Sequence, residues 1–151
     1  KQGRVCGINL GGGYARFPGV VGTATTRIGE TEIARTGLKS SEATAAGFAF
    51  SSATIESTTH AGYFPGAVKM TVKVLVERGS DRLLGGQIVG GPGSAKRIDT
   101  LATATTARMT ATEFEYLDLS YAPPFSTVWE PAQIAARKAV QSVTRDGDEP
   151  S

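Results

Sequence analysis

One cysteine, one histidine and one tryptophan are spread over 151 residues, and each scarcity closes a chemical route. Cys6 has no second cysteine to pair with, and without a CxxC or a Cys/His cluster the chain offers no zinc signature. Metal chemistry is not expected. Such cysteine usage is that of a cytosolic chain, so a cytoplasmic location is expected. No apolar run approaches the roughly 20 residues that cross a bilayer, and the apolar stretch in KQGRVCGINLGGG is too short for a signal peptide. A soluble chain follows. Blocks of like charge are missing too: 16 basic and 14 acidic residues are interspersed and leave a net charge of +2. Neither nucleic acid nor a membrane surface is an expected partner. No methionine precedes Met70 and position 1 is a lysine, which reads as a piece of a longer chain.

What the chain does have is glycine, 19 residues of it, and 40% apolar residues. That is enough for one domain burying roughly 70% of its unfolded surface. Residues 1–19 pass from a short helical-looking segment around Val5, Ile8 and Asn9 to GGGYARFPG, a run of turn formers that reads as a connector. From Val20, VGTATTRI and TEIARTGL carry β-branched residues on either side of Gly29 and predict a strand or bent strand pair. Ser40 or Ser41 is placed to cap a two-turn helix, with Glu42 at its positive end and Gly47 at its stop. FAFSSATIEST, residues 48–58, is strand-like again. In the clearest strand, Val68, Met70, Val72, Val74 and Val76 alternate with Lys69, Thr71, Lys73, Leu75 and Glu77. One face should be buried and the other mostly wet. ERGSDR turns the chain into LLGGQIVGG, an antiparallel partner whose glycines let a neighbouring backbone approach closely.

Ser94 is a good cap for a helix with Ile98, Leu101, Ala102, Thr105 and Met109 on one stripe. A short helix is expected around Thr112–Tyr116, and Pro131 suits the first turn of a last helix, AQIAARKAV. Strands in a run with helices before and after predict an α+β domain, an antiparallel β-sheet with helices packed on one face. The folded domain is expected over residues 20–140, with 141–151 as a polar tail.

The glycine clusters are turns: GINLGGGYARF does not satisfy GxGxxG, and no GxxxxGK[ST] occurs. GGPGSAKR could offer a helix N-terminus to an anion beside Lys96 and Arg97, against the plainer reading of a capped helix with exposed charges. His60 sits on a loop and reads as a surface polar residue. Cys6 has no adjacent His, Lys or second Cys to lower its pKa and reads as an inert packed thiol. Tyr63 and Tyr121 each lie beside proline, in YFPG and YAPPF. A phenol on a stiff loop can donate a hydrogen bond to a developing thiolate or oxyanion. The plainer alternative has each ring capping the core with its hydroxyl in water.

Taken in order, FPGVVGTATTRI, EIARTGL, HAGYFPGA, LLGGQIVGG, KRIDTLATA and LDLSYAPPFSTVWEP resemble the C-terminal domain of FAD-dependent pyridine nucleotide-disulfide oxidoreductases. The resemblance covers residues 4–138 and is greatest to the coenzyme A-disulfide reductase group, which includes NADH oxidases and peroxidases. It implies a homodimerisation domain that completes the partner subunit's active site, with residues 1–19 as the end of an upstream flavin domain and its connector. FAD and NAD(P)H would be bound by upstream domains of the parent, and none by this chain, which alone is expected to be inactive. Tyr63 and Tyr121 match the two tyrosines that approach the opposite subunit's active-site cysteine, where they would stabilise or protonate a leaving thiolate. Phe125 and Ser126 fall where the domain lies against the partner's flavin. The implied substrate is coenzyme A disulfide or a similar small disulfide. The alternatives are a parent that is an NADH oxidase or peroxidase, and a stand-alone dimerisation module without catalysis. His60 has no HxxxxE partner, which disfavours the acid-base pair of glutathione reductase-like members.

Overall fold

The computed structural model describes residues 1–147. Its centre is a five-stranded sheet built from β1 (Ala24–Ile28), β2 (Thr31–Gly37), β3 (Phe50–Thr58), β4 (Lys69–Glu77) and β5 (Leu83–Gly90), in the order β1-β2-β5-β4-β3. Every neighbouring pair is antiparallel. The α+β reading is borne out, and the alternation along β4 does what its period requires: Met70, Val72, Val74 and Val76 are all 2% exposed or less.

That face is covered by α3 (Ile98–Thr106) over β5 and β2, and by α5 (Pro131–Gly147) over β3 and β4, with α4 (Ala111–Glu115) against α5. Ala132, Ala135, Ala136 and Ala139 repeat at helical spacing and are all buried. Their small side chains let α5 lie close to the sheet, where the Ser51 hydroxyl donates to Ala139 O at 2.8 Å. Phe114, fully buried, fills the space between α4 and the core. From α3 the buried positions are Ile98, Leu101 and Ala104. Ala102 and Thr105 are only half-buried, and Met109 lies past the helix end, beyond Arg108 at φ 57°. Helix α5 runs on into the stretch expected to be a polar tail, and residues 148–151 of that stretch lie outside the described residues.

The opposite face is drier than the alternation predicted. Leu75 is fully buried there with Ala43 and Leu84, flanked by Leu38, Phe48 and Phe50, because the short α2 (Ser40–Ala45) folds over that end of the sheet. The cap of α2 is Lys39 rather than Ser40 or Ser41: its backbone N–H donates to the Glu42 carboxylate at 2.8 Å. Ser40 instead accepts from the Lys73 ammonium at 2.8 Å, tying α2 to β4. Ser94 makes no side-chain cap either; it is buried in the turn before a single 3-10 turn, Ala95–Arg97, and Arg97 occupies the cap position of α3. The first helix, α1 (Gln2–Leu10), buries none of its residues, so Cys6 is exposed, not packed.

The glycines of β5 carry the close approach read from the sequence. Gly37 and Gly85 face each other across the β2–β5 ladder. A Cβ at Gly85 would stand 2.5 Å from Leu38 N, and one at Gly37 2.2 Å from Leu84 O. Gly37 also has φ +60°, which disfavours any side chain.

Gly85→Ala is expected to lower stability by about 2–3 kcal/mol through this overpacking, read as a fall in the denaturant midpoint. A pH effect follows from Glu42, held at about 2 rather than the usual 4.5 mainly by its hydrogen bond from Arg35 and then by Lys39 N–H. Because the folded-state value is depressed, its stabilisation is present above the ordinary carboxylate range and is lost as pH falls towards about 2. Melting curves across that window should fall less steeply for Glu42→Gln than for the unaltered chain.

Candidate functional site

Two loops carry the tyrosines. One joins β3 to β4 and holds Tyr63; the other joins α4 to α5 and holds Tyr121. The first is stiffened from within. The Thr58 hydroxyl donates to His60 O at 2.7 Å, Phe64 N–H donates to Ala61 O at 2.8 Å, and His60 Nε2 lies 3.2 Å from Pro65 O. The His60 ring stands edge-on to Phe64 with centroids 5.9 Å apart. His60 thus braces the turn beneath Tyr63. In the second loop Pro123 and Pro124 set a turn closed by Phe125 N–H to Ala122 O at 2.9 Å. Its start is pinned by Gln133 of α5, buried, whose amide nitrogen lies 3.0 to 3.1 Å from the carbonyls of Phe114, Glu115 and Leu117.

The loops meet. Ala61 N–H donates to Pro123 O at 3.2 Å, and Tyr63 and Tyr121, 58 positions apart in the sequence, come side by side. The hydrogen bond with Tyr63 is the main cause that raises the Tyr121 phenol above its ordinary pKa, helped by burial. Both rings face outward, at 78% and 46% exposure. The grooves of about 330 and 320 Å³ that border the second loop include neither tyrosine. The phenols therefore stand on a surface and are not enclosed by this chain.

Phe125 is exposed, whereas Ser126 is buried and its hydroxyl donates to Glu130 at 3.1 Å. Trp129, half exposed, is stacked by the Arg137 guanidinium 5.6 Å from its ring centre, and Arg137 in turn pairs with Glu115 at 3.4 Å.

Two charged residues escaped the sequence reading. Arg97 pairs with Glu130, at 14% and 12% side-chain exposure, and its guanidinium also donates to Thr59 O and, at 2.9 Å, to Phe125 O. Arg97 had read as an exposed charge beside Lys96. The only sequence signal for the pair is Glu130 standing just before the helix-starting Pro131. The GGPGS turn that had seemed open to an anion is filled from within the chain. The Glu32 carboxylate of β2 accepts from Ala95 N–H at 2.9 Å and Gly93 N–H at 3.1 Å, and these two bonds, the Ala95 one foremost, hold it below the usual carboxylate range. Among the described residues no three His, Cys, Asp or Glu side chains gather to hold a metal, and no helix is long and apolar enough to cross a membrane.

Two braced loops thus hold two exposed tyrosines outward from a sheet with helices over its main face. The chain belongs to the pyridine nucleotide-disulphide oxidoreductase dimerisation domain family, whose model matches residues 23–133. It is 41% identical over 137 residues to the NAD(P)H coenzyme A polysulfide/persulfide reductase of Pyrococcus horikoshii, covering 91% of this chain and 31% of that protein. It is 34% identical over 110 residues to the coenzyme A disulfide reductase of Staphylococcus haemolyticus, covering 73% of this chain and 24% of that protein. Among solved structures it is similar to an NAD-dependent persulfide reductase from A. fulgidus, with a TM-score of 0.89 and 41% identity over 97% of this chain and 27% of that one. The chain spans under a third of the length of these relatives.

Tyr63→Phe removes the hydroxyl that raises the Tyr121 phenol. Tyr121 should then titrate at lower pH, nearer the ordinary phenol range, as followed by carbon NMR of ring-labelled tyrosine.

Proposed function

We propose that this chain is the homodimerisation domain of a cytoplasmic, FAD-dependent disulfide oxidoreductase that uses NAD(P)H, and that Tyr63 and Tyr121 complete the active site of the partner subunit. The observation that supports this most is the meeting of the two loops, joined by Ala61 N–H to Pro123 O, which leaves both tyrosines exposed and Tyr63 near enough to raise the Tyr121 phenol. The family supplies the context of a larger redox enzyme, and the relatives named for coenzyme A disulfide and polysulfide/persulfide favour a small sulfur substrate.

Among the described residues we read no dinucleotide site. No phosphate-binding glycine fingerprint occurs, and the turn at 91–95 is filled by Glu32. In this reading FAD and NAD(P)H belong to domains upstream of residue 1. Residues 1–19 are the end of the flavin domain and its connector, and the body of the dimerisation domain begins near residue 20. Phe125, exposed at the tip of the second loop, would meet the partner's flavin region through its ring. Ser126, buried, would do so only through its backbone.

The reaction proposed is a thiol–disulfide exchange: a thiolate of the partner subunit attacks one sulfur of the substrate disulfide, a mixed disulfide forms, and the other sulfur leaves as a thiolate. Negative charge appears on that leaving sulfur, and a donor placed there lowers the barrier. Tyr63 and Tyr121 supply such donors. A phenol at or above its ordinary range is neutral at cytoplasmic pH and can donate, and Tyr121 is raised, not lowered; a phenolate would repel the thiolate.

In the full-length enzyme, Tyr63→Phe and Tyr121→Phe together should lower turnover of coenzyme A disulfide by roughly 10²-fold while flavin content and dimer mass stay unchanged. Unaltered turnover would sink the assignment of the tyrosines. NAD(P)H consumption with dioxygen or peroxide but not with disulfides would replace the substrate reading with that of an oxidase or peroxidase.

A further inference from the structure

We infer that Arg97 is a positioning residue for the tyrosine pair: its guanidinium gathers the carbonyls of Thr59 and Phe125 and the carboxylate of Glu130, and so sets the spacing between the two loops. This rests on the reading of Tyr63 and Tyr121 given above and adds to it the group that holds them.

The argument begins with where Arg97 stands. It ends the 3-10 turn and caps α3, next to Ile98, which is fully buried against the sheet. Its backbone thus belongs to neither loop but to the rigid layer between them. From there Nη2 donates to Thr59 O, at the root of the loop carrying Tyr63, and at 2.9 Å to Phe125 O in the loop carrying Tyr121. Nη1 donates to Glu130, which closes the second loop and also accepts from the Ser126 hydroxyl. Thr59 precedes Tyr63 by four residues and Phe125 follows Tyr121 by four, so the clamp grips the loops at matching distances from the phenols. The Ala61–Pro123 bond joins them nearer their tips.

The chemistry calls for a guanidinium. Its planar fork serves three acceptors lying in different directions, which the compact ammonium of lysine cannot do at once. Nε of Arg97 is buried without a hydrogen-bond partner. The group leaves one of its own donors unmade while its outer nitrogens serve both loops, a compromise expected where position matters more than saturation. Glu130 supplies the countercharge that lets the guanidinium stay buried.

The test uses the full-length enzyme and two independent readouts for Arg97→Lys: the titration of Tyr121 by carbon NMR of ring-labelled tyrosine, and kcat and KM for coenzyme A disulfide. Tyr63→Phe marks where Tyr121 titrates without its neighbour. We expect Arg97→Lys to move the Tyr121 titration towards that mark and to reduce kcat by roughly 10- to 100-fold, with KM and dimer mass little changed. A lowered melting temperature with the Tyr121 titration left as in the unaltered enzyme would overturn the inference, since a merely structural arginine would behave that way. A moved titration with intact turnover would uphold the positioning and instead defeat the role of the tyrosines at sulfur. Should Arg97→Lys fail to fold, Glu130→Gln keeps shape and an acceptor while removing the countercharge. A Tyr121 shift in the same direction then supports the clamp, and an unmoved titration rejects it.

Discussion

At Gly37 and Gly85 the main chains of β2 and β5 run so close that neither residue has room for a Cβ, and the rest of the domain is arranged around that crossing. Because β5 is the middle strand, its registration against β2 on one side and β4 on the other determines where everything else falls. On the β2 side it brings Glu32 to the turn before Arg97. On the β4 side it fixes the β3–β4 hairpin, whose connecting loop bears Tyr63. Over its face lies α3, with Arg97 at its start. A side chain at either glycine would push apart the platform from which both loops are positioned, not merely fray one strand.

The loops keep most of their large apolar side chains outside, with Tyr63, Phe125 and Val128 exposed, and are anchored to apolar surroundings mainly by Ala61 and Leu117. Their order comes from polar groups used as fasteners: His60 and Thr58 within the first loop, Gln133 at the start of the second, and the buried Arg97–Glu130 pair where the two converge. Buried charge and unmade bonds are tolerated here because the reward is placement. The apolar core beneath, from Val72 to Phe114, supplies the stability.

What could be read from the sequence follows from the range over which each interaction acts. The strand of alternating apolar residues from Val68 to Val76 was legible because period-two burial is written locally; α4 was expected around Thr112–Tyr116 and lies at Ala111–Glu115, where Glu113 closes a capping box with Thr110. Ser94 misled because the turn it begins is satisfied by Glu32, 62 positions earlier. Leu75 misled because its cover, α2, comes from across the sheet. The tyrosines could be singled out only through the ordered motifs that resemble a known family; their side-chain meeting is a property of the fold. Arg97 was read as an exposed charge and its burial was invisible, since its acceptors lie 38, 28 and 33 positions away and two of them are carbonyls, which every residue possesses.

That last fact carries its own consequence. A clamp that holds main-chain oxygens places no demand of its own on the side chains it passes: Thr59 is kept by its burial and by the bond its hydroxyl accepts from Val68 N–H, but the exposed Phe125 can vary while the loops stay fixed. Divergence in such a domain can exchange the chemical groups it shows a neighbour, one residue at a time, without re-inventing the support beneath them.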